Sequence, residues 1–208
     1  MNRFRGTIMS KLKNMIEIEH IAKLIPGTPK NVYSGEKGTI LKEVLVLKGS
    51  NVDQQGRIST KDMESVFPAE GKNIDRYKLQ KGDVVVMARG TAIRVGMVTE
   101  EVADKEVIAT ANFIIIRPDK KKIWGEVIFA YFNSKIGQEE LRALSTGAVI
   151  QHIPVSSLKK LKIPIPSFEK QKKICDVLIA GRETRLAAEV LIAQQKRTVD
   201  ATILGMMA

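Results

Sequence analysis

Residue types that could do chemistry are scarce in this 208-residue chain. The two histidines, His20 and His152, lie too far apart in sequence to mark a metal centre or a histidine-led triad. Cys175 is the only cysteine, so neither an intrachain disulfide nor a cysteine-based metal cluster is expected. Asp83, Glu100 and Lys105 are of the types found in metal-nuclease clusters, but scattered acids and lysines near a hairpin read more simply as solvated. Pro164-Ile165-Pro166 is preceded by no polar residue that would complete the Asn/Asp-Pro-Pro-aromatic motif of an amino-methyltransferase. The segment from Gly90 to Gly96 lacks the Gly-Lys-Ser/Thr of a Walker A loop. No catalytic residue, metal ligand or cofactor is therefore assigned, and the chain reads as a non-enzyme.

Groups that bind rather than react are more plentiful. The formal charge is +11, with a pI near 9.7, which favours a polyanionic partner: nucleic acid first, an anionic membrane surface second. Arginine and lysine neutralise phosphates, while Arg, Asn, Gln, Ser and Thr reach base edges. Such residues gather at three predicted turns. Arg89, Gly90, Thr91 and Arg94 surround one tight turn whose glycine lets backbone and guanidinium approach a groove; a solvated arginine pair is the plain alternative. Lys48, Ser50 and Asn51 form a second loop. Thr146, Gly147, Gln151 and His152 form a third, with His152 equally suited to packing. Lys120-Lys121-Lys122 reads as a solvated turn, with phosphate contact the functional alternative.

The elements that must position these turns follow from apolar patterning. Residues 1–14 read as a basic N-terminal arm, and Ile16 to Ile25 as a strand turning into a short helix before Pro26 and Gly27. Residues 27–42 are loop-like. Val44 to Leu47 and Asp83 to Met87 read as buried strands, and Val95 to Val98 returns after the Arg89 turn. Val107–Ala109 and Asn112–Ile116 read as a further strand pair. Residues 126–145 carry helical spacing with a break near Asn133-Ser134. After Pro166 a proline-free run from Glu169 to about Leu204 predicts one helix on the order of 50 Å long, with Gly181 as its internal weak point. Ile174, Leu178, Gly181, Ala188, Ile192 and Val199 recur on it in 4-3 steps, as in a helix that packs against a second helix. No run reaches membrane-span length, no signal-peptide core is evident, and a cytoplasmic location is expected.

These elements in this order resemble the DNA-specificity subunits of type I restriction-modification systems. The resemblance begins at Ile18 to Gly27 and at Leu45 to Val52. It strengthens through Lys81-Gly82-Asp83-Val84-Val85, Arg89-Gly90-Thr91 and Val95-Gly96. It is most specific in the succession Phe132-Asn133-Ser134, Gln138, Thr146-Gly147, Ile153-Pro154, Leu158 to Pro166, Glu169, Gln171 and Ile174.

The resemblance implies an α/β (α+β) fold: one target-recognition domain at 15–167 with a mixed or antiparallel twisted sheet and short helices, then a coiled-coil-type helix at 168–208. It implies a non-catalytic reader of double-stranded DNA. Such a reader positions adenine methyltransferase (M) subunits, and a restriction (R) subunit, on a bipartite site. Members of this family carry two recognition domains and two helices, whereas this sequence shows one of each. A homodimer paired through the helix is expected to supply the missing half. The alternative is an assembly or regulatory protein that keeps the helix and reads no DNA.

Overall fold

The computed structural model of the chain describes residues 14–34, 43–147 and 150–207. Most of the expected basic arm, residues 35–42 of the predicted loop and two residues of the Gly147 turn lie outside them. The strands are β1 (Met15–Glu17), β2 (Ala22–Pro26), β3 (Tyr33–Ser34), β4 (Val44–Leu47), β5 (Glu64–Pro68) and β6 (Val84–Met87). They continue with β7 (Arg89–Gly90), β8 (Val95–Met97), β9 (Val107–Ala109), β10 (Phe113–Pro118), β11 (Gln151–His152) and β12 (Lys162–Pro164). The helices are α1 (Glu100–Ala103), α2 (Gly125–Asn133), α3 (Lys135–Leu144), α4 (Val155–Lys160) and α5 (Phe168–Met207).

Two β-branched triplets, Val84-Val85-Val86 and Ile114-Ile115-Ile116, organise the body. They pair antiparallel at the centre of a four-stranded sheet ordered β2-β10-β6-β8. Alternation along a strand sends neighbouring side chains to opposite faces. Val84, Val86, Ile114 and Ile116 accordingly pack with Ile128, Phe132, Leu141 and Leu158 of the helices. Val85 and Ile115 face the other way, onto Val46, Leu47 and Ile108 of a second sheet ordered β3-β5-β4-β9. A sheet covered on both faces explains why its strands are continuous apolar runs. The architecture is thus a mixed helix and sheet fold, with antiparallel and mixed sheets and one long C-terminal helix.

Two sequence expectations change. Val107–Ala109 and Asn112–Ile116 are both strands but do not pair with each other: β9 runs parallel to β4, and β10 lies between β2 and β6. The short Thr110–Asn112 link passes the chain from one sheet to the other, which strand composition cannot distinguish from a hairpin turn. The stretch from Ile16 to Ile25 begins as expected, a strand passing into a short 3-10 helix at Ile18–His20, but then returns to strand. Ala22 to Pro26 is drawn into the ladder by β10, so pairing overrides the local helical pattern.

The break at Ser134 is a cap: its hydroxyl accepts the Gly137 N–H and donates to the Tyr131 carbonyl. A Cβ at Gly137 would lie 2.1 Å from that carbonyl, so the α2–α3 joint can close only on glycine. The helix α2 starts where Gly125 meets the Gly82 carbonyl and ends where Asn133 donates to the Val95 carbonyl. It therefore runs along the sheet toward the Arg89–Arg94 turn. The long helix α5 packs on α2, beginning beside Trp124 and reaching Arg57 at Glu189, 3.7 Å away. It follows the same direction, and residues 190–207, all exposed, extend about 27 Å further.

Candidate nucleic-acid interface

The three polar loops singled out in the sequence meet at one end of the body. The short strand β7 pairs with β11, placing Arg89 opposite His152 and Gly90 opposite Gln151. Thr146 and His152 exchange both backbone hydrogen bonds at 2.9 Å, closing the loop around Gly147. At Gly147 φ is +96°, a conformation suited to glycine. The remaining loop joins through Arg94, whose Nη1 donates to the carbonyls of Gly49 and Val52, each at 2.8 Å. Met87 lies between the loops, so close that a Cβ on either Gly49 or Gly90 would strike its side chain.

The candidate side chains divide by what they already hold. Arg94 is half-buried and engaged with backbone. Asn51 is buried and its Oδ1 accepts the Lys48 N–H, fixing the loop. Lys48 pairs with Glu64. Arg89, Thr91, Ser50 and His152 are exposed, and among the described residues the Arg89 guanidinium has no ion pair or hydrogen bond. Gln151 is half-buried, with its Oε1 covered and unpartnered. Sequence reasoning missed Asn112. Its carbonyl accepts the N–H groups of Ala88 and Arg89, at 2.8 and 3.1 Å, so this exposed residue stands against the same turn. The only signal for it was a polar residue between two strands, hidden once those strands were paired as a hairpin.

On the helix, Ile174 and Leu178 are half-buried, and Ile174 packs on the chain's own core. Gly181, Ala188, Ile192 and Val199 are exposed. The helix root is held by Gln171, which is 1 % exposed. Its Nε2 donates to the carbonyls of Lys122 and Pro166, and its Oε1 accepts the Trp124 N–H.

Enzyme-type constellations do not assemble among the described residues. Asp83 is buried against Arg117, Glu100 pairs with Lys81, and Lys105 reaches Thr60 and Glu101. Burial pushes the Cys175 thiol up to about 11, with the Glu126 and Asp176 carboxylates adding to the shift. It is thus a neutral thiol at neutral pH, not a nucleophile. Glu17, Glu19 and His20 bring ligand atoms within 4.8 Å of one another, but Glu19 and His20 are exposed, and exposed acids commonly cluster without an ion. No described helix is long and apolar enough to cross a membrane.

Comparison with known proteins gives this arrangement its family. The type I restriction modification DNA specificity domain matches residues 38–184, and the chain belongs to that family. The chain is 27% identical over 164 residues to the type I restriction enzyme EcoKI specificity subunit of Escherichia coli (strain K12). That match covers 77% of this chain and 34% of the relative. It is 27% identical over 128 residues to the MjaIX specificity subunit of Methanocaldococcus jannaschii, covering 58% of this chain and 29% of the relative. Among solved structures, the HsdS subunit of Thermoanaerobacter tengcongensis shares the fold with a TM-score of 0.57 at 17% identity. The match covers 89% of this chain and 46% of that one. A chain from a study of complex assembly and conformational transition of the type I R-M system gives 0.62 at 16% identity, covering 94% and 48%. The chain thus spans about a third of the length of these curated relatives and about half that of the solved ones.

Proposed function

We propose that this chain reads DNA for a type I restriction-modification complex, performing no chemistry itself. The observation that carries the reading is the meeting of three separately predicted polar loops at one end of the body, where Arg89 is exposed and its guanidinium unpaired among the described residues. Arginine in such a setting can bond two acceptors of a guanine edge at once, which is the commonest specific base contact. The body would be the recognition domain and α5 the spacer. Two copies would pair through the exposed helix stripe, and their two-fold symmetry would make a bipartite site palindromic. The complex would hold M subunits, whose active sites flip out and methylate adenine, and an R subunit would act from the same platform.

The test is methylome sequencing of a host carrying the chain and its methyltransferase. Replacing Arg89 with Ala is expected to relax the methylated motif at one position in each half-site, a loss of about 1–3 kcal/mol of discrimination. An unchanged motif removes Arg89 and its turn from the reading surface.

One observation favours a second reading, an assembly or regulatory protein without base readout. Arg94, Asn51 and Lys48 are already engaged within the chain, leaving the loops few free cations. Under that reading, methyltransferase capture by the chain survives while no variant in the three loops alters the motif.

A further inference from the structure

Among the described residues, the densest positive charge lies away from the candidate reading loops. Residues 119–122 and 156–173 hold nine lysines against two carboxylates, so about a tenth of the sequence carries +7 of the formal +11. The two segments form one surface. Lys160 and Lys162 flank Leu161, whose carbonyl accepts the Ile18 N–H at 3.0 Å. Two residues on, the His20 carbonyl accepts Lys122 Nζ at 2.9 Å. The Lys122 carbonyl in turn accepts Gln171, which brings the lysines of the first turn of α5 alongside.

All nine ammonium groups belong to exposed residues. Two are neutralised within their own segments, Lys122 by Asp119 and Lys173 by Glu169. The other seven make no ion pair among the described residues. The acids of the intervening turn are Glu17, which lies 3.8 Å from His20, and the exposed Glu19. They leave a large excess uncompensated. Like charges gathered at this density repel one another and lower stability unless a polyanion covers them.

We propose that this lysine collar at the root of α5 binds the phosphate backbone of duplex DNA beside the segment read by the loops. The inference rests on the chain acting on DNA. The collar holds lysine and no arginine. An ammonium is a compact point charge that neutralises phosphate without the bidentate geometry that reads a base. Its place fits that role, since β10 runs from Phe113, next to the Asn112 contact, to Pro118, just before the Asp119 turn. Six residues of strand separate the two surfaces by about 20 Å. At about 3.4 Å per base pair, a duplex lying along the body meets the collar about six base pairs from the loops. The loops would then supply sequence and the collar affinity.

The test uses the full chain and a mixed-sequence duplex of about 40 base pairs, with binding followed by fluorescence anisotropy across a salt series. One variant combines Lys120→Gln, Lys121→Gln, Lys159→Gln, Lys160→Gln and Lys162→Gln; a second makes the same five positions Arg. The Gln variant is expected to bind about tenfold or more weakly near 100 mM salt. Its log–log salt slope should be shallower by about two units or more, at roughly 0.9 for each phosphate that the variant no longer neutralises. The Arg variant should retain both and melt like the unaltered protein, and the Gln variant should melt no lower, since it loses mutual repulsion.

Unchanged affinity and slope in the Gln variant overturn the proposal. So does an Arg variant that falls with it, or a Gln variant that keeps its DNA affinity and loses capture of the methyltransferase. The last result would make the collar a protein interface. Arg89→Ala in the same series separates the two surfaces. If it changes the methylated motif while the lysine variants bind normally, the reader stands without the collar. An unchanged motif alongside weakened lysine variants gives the reverse.

Discussion

A guanidinium can hold a fold together or meet a ligand, and the direction of its five donors decides which. Arg94 spends its Nη1 on two carbonyls of the 48–52 loop, whereas Arg89 stands exposed across from His152. Arg94→Ala is expected to destabilise the protein by about 1–3 kcal/mol, because half-buried carbonyls lose their donor. Arg89→Ala should change stability by no more than about 0.5 kcal/mol, as surface changes away from such features usually do. Urea unfolding of the two variants checks the contrast; equal losses would show that Arg94 is not the strut between loops. The sequence announced both arginines as a pair, since both flank one glycine turn. It could not assign them different work, because that depends on carbonyls more than forty residues away. Asn51 is the same case. Its type suggested a base-reading amide, yet its burial and its bond to Lys48 make it part of the loop's own frame.

Elements were more legible than their partners. The triplet at Val84–Val86, the return at Val95, the helix break at Ser134 and the long terminal helix all follow from local composition, which acts within a few residues. Pairing between β9 and β4, or between β2 and β10, joins segments far apart in sequence and leaves no local trace. The attachment of α5 was equally hidden. The sequence marks only Pro166 as the boundary before the helix, while the anchor is Gln171, buried among groups from the Lys122–Trp124 turn and from Pro166. Gln171→Ala would leave one N–H and two carbonyls at the root without their partner, at a cost of about 1–3 kcal/mol. Hydrogen exchange gives the sharper measurement. Faster exchange of the Trp124 amide and the first turns of α5, with the β6 and β10 amides unchanged, is the expected outcome. Uniform acceleration across the body would instead mean that Gln171 stabilises the whole fold and not the joint.

At the scale of the whole molecule, the helix has two kinds of apolar residue. Near its root, Ile174 packs into the chain's own core, so its apolar character is satisfied within one copy. Further out, Ile192 is 65% exposed and Val199 49%, and the body lies behind them. Exposed apolar residues at 4-3 spacing on one face of a projecting helix are unfavourable in water and fit a second helix. Because α5 runs toward the loop end of the body, antiparallel pairing of two such helices would set the two loop clusters facing inward along a common rod. Ile192→Glu combined with Val199→Glu therefore isolates association from folding, since neither side chain supports the body. Light scattering at roughly tens of micromolar is expected to give twice the 23.1 kDa chain mass for the unaltered protein and the single-chain mass for the variant. Both should share one melting profile for the body. An unaltered chain that scatters as a monomer, or a variant that remains a dimer, would remove the helix stripe as the contact between copies. The proposal of a palindromic bipartite site would then lose its support from the helix.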